Sequence, residues 1–206
     1  MKLPDPVAPG REAARARILA AIDEPFNARE TVAEAREWLA CHRRFLSALA
    51  RGREDLDAMA CDSHSLEVDY ETLLNRAGIL SFRFHSLEYP GMAHGGMSFW
   101  KCFIFSATTG EALAMTDLLA PGAVGPFMAR LAAAIRAVGL EDVSWVGKLE
   151  DFENLEVGLS RMGVEVGFMA GVFGHPTEGY AWFCVPYGEL KGLARPGSPL
   201  AALAGP

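Results

Sequence analysis

The histidines and cysteines of this chain are its first candidates for nucleophilic catalysis or zinc binding: His42, His64, His85, His94 and His175, with Cys41, Cys61, Cys102 and Cys184. A hydrolytic zinc site usually places two imidazoles on one helix face through a spacing such as His-Glu-x-x-His. That spacing is absent, and no Cys-x-x-Cys pair offers a zinc ribbon or a thioredoxin-like site. The Gly-x-Ser-x-Gly elbow of serine hydrolases and the Gly-rich loops that cradle phosphates are absent as well. Cys184 and His175 form a conceivable nucleophile and base. Cys184, however, lies in Ala181-Trp182-Phe183-Cys184-Val185, an apolar strand pattern in which burial raises a thiol pKa and blunts it. Glu150, Asp151 and Glu153 lack the regular ligand spacing of a calcium loop and read as a solvated turn. The expectation is no catalytic residue, no metal and no cofactor.

One segment stands apart: Tyr89-Pro90-Gly91-Met92-Ala93-His94-Gly95-Gly96. Three glycines and a proline surround a single histidine between two strand patterns. Glycine supplies the positive φ that a tight turn or bulge needs. A histidine held by such a loop can donate and accept hydrogen bonds, either to fix the loop or to meet a ligand. Tyr89, Gly91, His94, Gly95 and Gly96 are the candidate binding residues.

The elements around this loop follow from hydrophobic periodicity. Ala14, Ile18 and Ile22 predict one face of a short helix over 11–22, interrupted by Pro25. Capping pairs near Asn27 and Thr31 open a longer helix that runs to about Ala50. Leu66, Val68 and Tyr70 alternate with acidic residues, and Leu80, Phe82 and Phe84 alternate with Ser81, Arg83 and His85, giving two half-buried strands. Residues 97–106 are apolar on both faces, the mark of a central strand. Thr108-Thr109-Gly110 turns, Glu111–Met115 suggests a short return strand, and Asp117 lies at a short helical turn. A helix follows over 124–138 with Phe127, Leu131, Ile135 and Val138 on one face and Gly139 as its stop. Leu155, Val157 and Leu159 and then Val164, Val166 and Phe168 predict a hairpin turning at Met162-Gly163. A last strand, 180–185, leads through Pro186 into a short helix, and the chain frays from Arg195. Cys102 and Cys184 read as small core residues. The order of elements predicts an α+β fold with a largely antiparallel sheet and packed helices. Residues 1–60 form an N-terminal helical segment appended to a domain over 61–206, too short to bury a core of its own.

Length and composition bound the function. The 206 residues are 50% hydrophobic and 22% charged, a globular composition. No apolar run is long enough for a membrane-spanning helix. The net charge is -7, and the whole acidic excess lies after residue 60. Such a body repels phosphate backbones, so no nucleic-acid partner is expected, and it favours a basic one. The N-terminus has no apolar signal core. A Cys41–Cys61 disulfide would fit an oxidising compartment.

The stretch around the His-Gly loop, with Phe103-Ile104-Phe105-Ser106-Ala107-Thr108-Thr109-Gly110-Glu111 after it, resembles a bacterial domain of unknown function. That family includes the C-terminal domain of the lysozyme-sensing anti-sigma factor RsiV and a non-catalytic region of the peptidoglycan deacetylase PdaC. Tyr89, Gly91, Ala93, His94, Gly95, Thr109, Gly110, Asp117 and Leu118 match its first signature. Gly163 to Phe168, Gly179, Val185-Pro186-Tyr187 and Glu189-Leu190 match its second. Met92 and Glu111 depart from it, standing where the family has Gly and Lys. The resemblance covers about residues 66–192 and implies a non-catalytic binding module of the cell envelope. The partner it implies is a basic protein such as lysozyme, or cell-wall material. Two other readings stay open: an envelope hydrolase or deacetylase using His94 with nearby carboxylates, and a cytoplasmic interaction protein sharing only the fold.

Overall fold

A computed structural model describes residues 12–26, 64–90, 97–140, 155–169, 172 and 180–205. Helix α1 spans Glu12–Phe26, followed by strands β1 (His64–Arg76), β2 (Ile79–Pro90) and β3 (Met97–Ser106). Next come the one-turn helix α2 (Met115–Leu118), helix α3 (Val124–Ala137), and strands β4 (Glu156–Leu159), β5 (Gly163–Phe168) and β6 (Ala181–Pro186). A 3₁₀ turn over Tyr187–Leu190 and helix α4 (Pro199–Ala204) complete the chain. The strands form two antiparallel three-stranded sheets, β1-β2-β3 and β4-β5-β6. The fold is α+β, as the element order predicts.

The chain divides into two compact units, one made of 19–69 with 85–99, the other of 2–18, 70–84 and 100–206. In the first, the described parts are the second half of α1 and the outer ends of β1, β2 and β3. There the His85 ring Nε2 lies 2.8 Å from Ser98 Oγ, joining β2 to β3 just below their connection.

The second unit holds the main core. In α3, Phe127, Leu131 and Ile135 recur at four-residue spacing and are fully buried, with Met128 and Ala132 beside them. This stripe packs on β6 and shares a core with Leu159, Val164, Val166, Phe183 and Val185. Register explains the pattern: Val157 faces Val166, Leu159 faces Val164, and Val164 and Val166 face Val185 and Phe183. Cross-strand pairs of β-branched and aromatic side chains of this kind stabilise a sheet. A second group of buried apolar residues comprises Ile18, Leu80, Phe82, Phe84 and Phe105. Phe103 stacks on Phe105 at 5.8 Å and meets Phe84 edge-on at 5.6 Å.

The Thr-Gly turn fixes α1. Ser106 Oγ accepts from the N–H groups of Thr108 and Thr109, and Thr109 Oγ1 donates to Glu111. Arg17 reaches back to the Thr109 carbonyl. Gly110 has φ +74, and a Cβ there would fall 2.3 Å from the Ala14 carbonyl, so only glycine lets the helix come this close. Asp117 accepts from the Ala114 N–H and closes the first turn of α2.

Several expectations change. In its sheet, β2 and not β3 is the middle strand; the free side of β3 meets the following chain through the bridge Phe105–Ala112. That bridge is all that forms of the return strand. Helix α1 runs through Pro25 and ends one residue later at Phe26, so the proline marks its end and not an interruption. Val138 is the C-cap, one residue past the end of the helix and three past Ile135, and it is 64% exposed. Gly163 belongs to β5, and the turn is Ser160 to Met162. Cys184 is half-buried, on the side of β6 opposite Phe183 and Val185. The C-terminal end is ordered: Ser198 caps α4 by accepting from the Ala201 N–H, Pro199 starts it, and Leu200 is fully buried. Arg195 ties the approach to α4 down by donating to the Leu119 and Thr116 carbonyls.

Candidate functional site

The loop carrying the sequence-predicted site is the connection between β2 and β3. β2 ends at Pro90 and β3 begins at Met97, so residues 91–96 join two hydrogen-bonded neighbours. Tyr89 contributes its backbone to β2; its side chain, and Gly91, His94, Gly95 and Gly96, lie outside the described residues. So do Cys41, Cys61, His42, His175, the helix expected over 27–50 and the acidic stretch up to residue 154.

In the second unit Arg83, on the middle strand β2, stands at the centre of a polar and aromatic cluster. Its guanidinium donates from Nη1 to Glu165 Oε2 at 2.8 Å, and from Nε and Nη2 to Glu71 Oε1. It also lies over the indole of Trp182, 4.4 Å from the ring centroid, and 5.6 Å from that of Trp100. A planar cation with a rigid donor fork suits this double role of carboxylate bridge and aromatic stack. Trp100, Tyr180 and Trp182 form one aromatic group, with Trp100 edge-on to Trp182 at 5.8 Å and Tyr180 stacked on Trp182 at 6.3 Å. Trp182 is cross-strand neighbour to Gly167, and a Cβ at that glycine would fall 2.6 Å from the ring. Glycine therefore opens the seat on which the indole lies.

Two further links join β4 to the first sheet within this unit. Ser81, fully buried on the same side of β2 as Arg83, accepts the Leu159 N–H at 3.0 Å. Glu156 accepts the Cys102 N–H at 2.8 Å and pairs with the Lys101 amine at 3.0 Å. The residues Ser81 and Arg83 read from sequence as the polar side of a half-buried strand. The apolar pattern of β3 on both faces points to cover on both, and Trp100 meets Arg83 and Trp182 on one of them.

Burial, helped by the negative charge of Glu156, pushes the Cys102 thiol up to about 12. Burial also raises Cys184, with Glu165 adding to it. A thiol raised in this way stays protonated at neutral pH and is a poor nucleophile. Burial likewise raises the Tyr180 phenol. A cleft of about 300 Å³ lies beside Lys101, Cys102, Thr116 and Glu156. Its lysine and its glutamate already neutralise each other. Among the described residues no cluster of three His, Cys, Asp or Glu side chains could hold a metal, and no described helix is long and apolar enough to cross a membrane.

A two-sheet α+β architecture of this kind has solved counterparts. The chain is similar to a DUF3298 family protein from Pseudomonas aeruginosa, with TM-score 0.52 and 20% identity over 74% of this chain and 70% of that one. It is also similar to a DUF3298 family member from Bacteroides fragilis, with TM-score 0.57 and 12% identity over 84% of this chain and 70% of that one. At these identities the likeness is one of fold. No protein-family model matches the sequence, and no curated protein matches it.

Proposed function

We propose that this chain is a non-catalytic binding module of the cell envelope, and that the hairpin tip over Tyr89–Gly96 is its contact surface. The observation that carries the reading is the hairpin itself. Two strands run to Pro90 and from Met97, so the His-Gly segment sits at the connection of neighbouring strands. Loops mounted on such a rigid base are the usual place for recognition. The sequence resemblance to the RsiV and PdaC domains supports the envelope setting, and the fold shared with DUF3298 proteins is compatible with it. The net charge of -7 favours a basic protein partner, lysozyme being the first to test. The raised thiols count against cysteine catalysis.

The test is titration of the whole chain with a basic lysozyme at low and moderate salt. Specific recognition predicts saturable binding with Kd of about 1 μM or below, on the order of -8 kcal/mol, that persists at moderate salt and weakens at least about tenfold in His94→Ala. Binding that disappears at moderate salt is charge attraction alone and refutes a specific partner. Binding unchanged in His94→Ala refutes the hairpin tip as the surface.

A further inference from the structure

A second cleft, of about 400 Å³, is lined by Thr72, Leu73, Leu74, Asn75, Arg76, Arg161, Tyr187 and Leu203. Four separate parts of the second unit build it: the end of β1, the β4–β5 turn, the 3₁₀ turn and helix α4. Its volume falls in the range of small-molecule sites. Its floor is apolar, with Leu73 and Leu74 both buried. Its rim carries two exposed arginines, Arg76 and Arg161, that are in no ion pair among the described residues.

Acids outnumber bases by 26 to 19 in this chain, yet neither of these two arginines meets one among the described residues. Arg17, Arg83 and Arg130 each meet a glutamate. The one other titratable group of the cleft does not compensate the pair. Tyr187 donates its hydroxyl to the Ser160 carbonyl at 2.7 Å, and burial raises its pKa, so it stays a neutral phenol. Two uncompensated guanidinium groups over an apolar floor make a local positive field in an acidic body, and a concave wall concentrates that field. Guanidinium forks match the planar geometry of a carboxylate. Thr72 and Asn75 add neutral hydrogen-bonding groups at the same rim.

We propose that this cleft binds a small amphiphilic carboxylate, such as the free C-terminus of a short peptide, with its carboxylate at Arg76 and Arg161 and its apolar part over Leu73, Leu74 and Leu203. The proposal does not depend on the reading of the His-Gly loop. An apolar floor favours a carboxylate bearing a side chain over a bare inorganic oxyanion.

The experiment titrates the full chain with N-acetyl-Ala-Leu carrying a free carboxylate, with its C-terminal amide and with inorganic phosphate, following backbone amide shifts. The expected result is saturable binding of the free acid in the millimolar range or tighter, with shifts at Thr72, Arg76 and Arg161, and at least about tenfold weaker binding of the amide, or about 1.4 kcal/mol. The double variant R76Q/R161Q is expected to lose the free acid while keeping its spectrum, since both side chains are exposed and unpaired. The single variants R76Q and R161Q, each expected to weaken binding several-fold, serve as well should the double variant fold poorly. Equal binding of acid and amide, unchanged binding in the variants, or no binding overturns the proposal. Phosphate binding as tight as the free acid overturns the assignment to a carboxylate.

Discussion

Replacing Arg83 with methionine tests whether the cation joins the two sheets. Methionine keeps much of the aliphatic stem and removes the charge. Glu165, only 21% exposed at its side chain, loses its charged donor at 2.8 Å. A charge-assisted hydrogen bond of this kind contributes roughly 1.5–3 kcal/mol. Loss of the guanidinium over Trp182, at 4.4 Å, removes about 1 kcal/mol more. The Glu71 pair adds little, since Glu71 is 52% exposed and such pairs contribute about 0–1 kcal/mol. The expected destabilisation is therefore about 3 kcal/mol, within the range for leaving a partly buried carboxylate unpaired. In a chain of this length that lowers the melting temperature by roughly 6–12 °C. Urea unfolding followed by tryptophan fluorescence reads the effect directly, because Trp100 and Trp182 are in the cluster. Glu71→Gln is the control and should cost under about 1 kcal/mol. Equal loss in the two variants, or a loss below about 0.5 kcal/mol in Arg83→Met, would refute a sheet-joining role.

Two other expectations follow from burial and titration. Leu200→Ala, six residues from the end of the chain, should cost about 2–5 kcal/mol in urea unfolding because the side chain is fully buried; a frayed terminus would show no change. Cys102 has its pKa raised from 9.0 to about 12 in the folded chain, so above pH 9 the unfolded state holds fewer protons. Its contribution to stability is thus constant below pH 9 and falls between pH 9 and 12, by up to about 1.4 kcal/mol per pH unit. Cys102→Ala should unfold less steeply over that interval, and identical slopes would show that the thiol is not shielded.

Local periodicity made most elements readable. The alternation at Leu80, Phe82 and Phe84, the helical stripe at Phe127, Leu131 and Ile135, and the hairpin pattern around Val157 and Val166 each need only a few neighbouring residues. The C-terminal helix had its signals too, a Ser198 cap followed by Pro199, but one and a half turns give the periodicity little to show. Pairing order is a different kind of information. Whether β3 lies in the middle of its sheet or on a margin depends on partners far along the chain, and a strand apolar on both faces reads the same in either place.

The same distinction explains the candidate sites. The His-Gly segment stands out in the sequence because its glycines, proline and flanking strand patterns are contiguous. Arg83 was hidden because its partners Glu71, Trp100, Glu165 and Trp182 come from four strands, and a charged residue alternating with phenylalanines looks like an ordinary solvent-facing position. Arg76 and Arg161 were hidden for a related reason: they are far apart in sequence, and only the assembled unit brings them to one cleft. Arginine thus does two jobs in one unit. Where carboxylates surround it, its charge is satisfied internally and its value is cohesion. Where two of them line a cleft with no ion pair among the described residues, the same charge is available to a ligand.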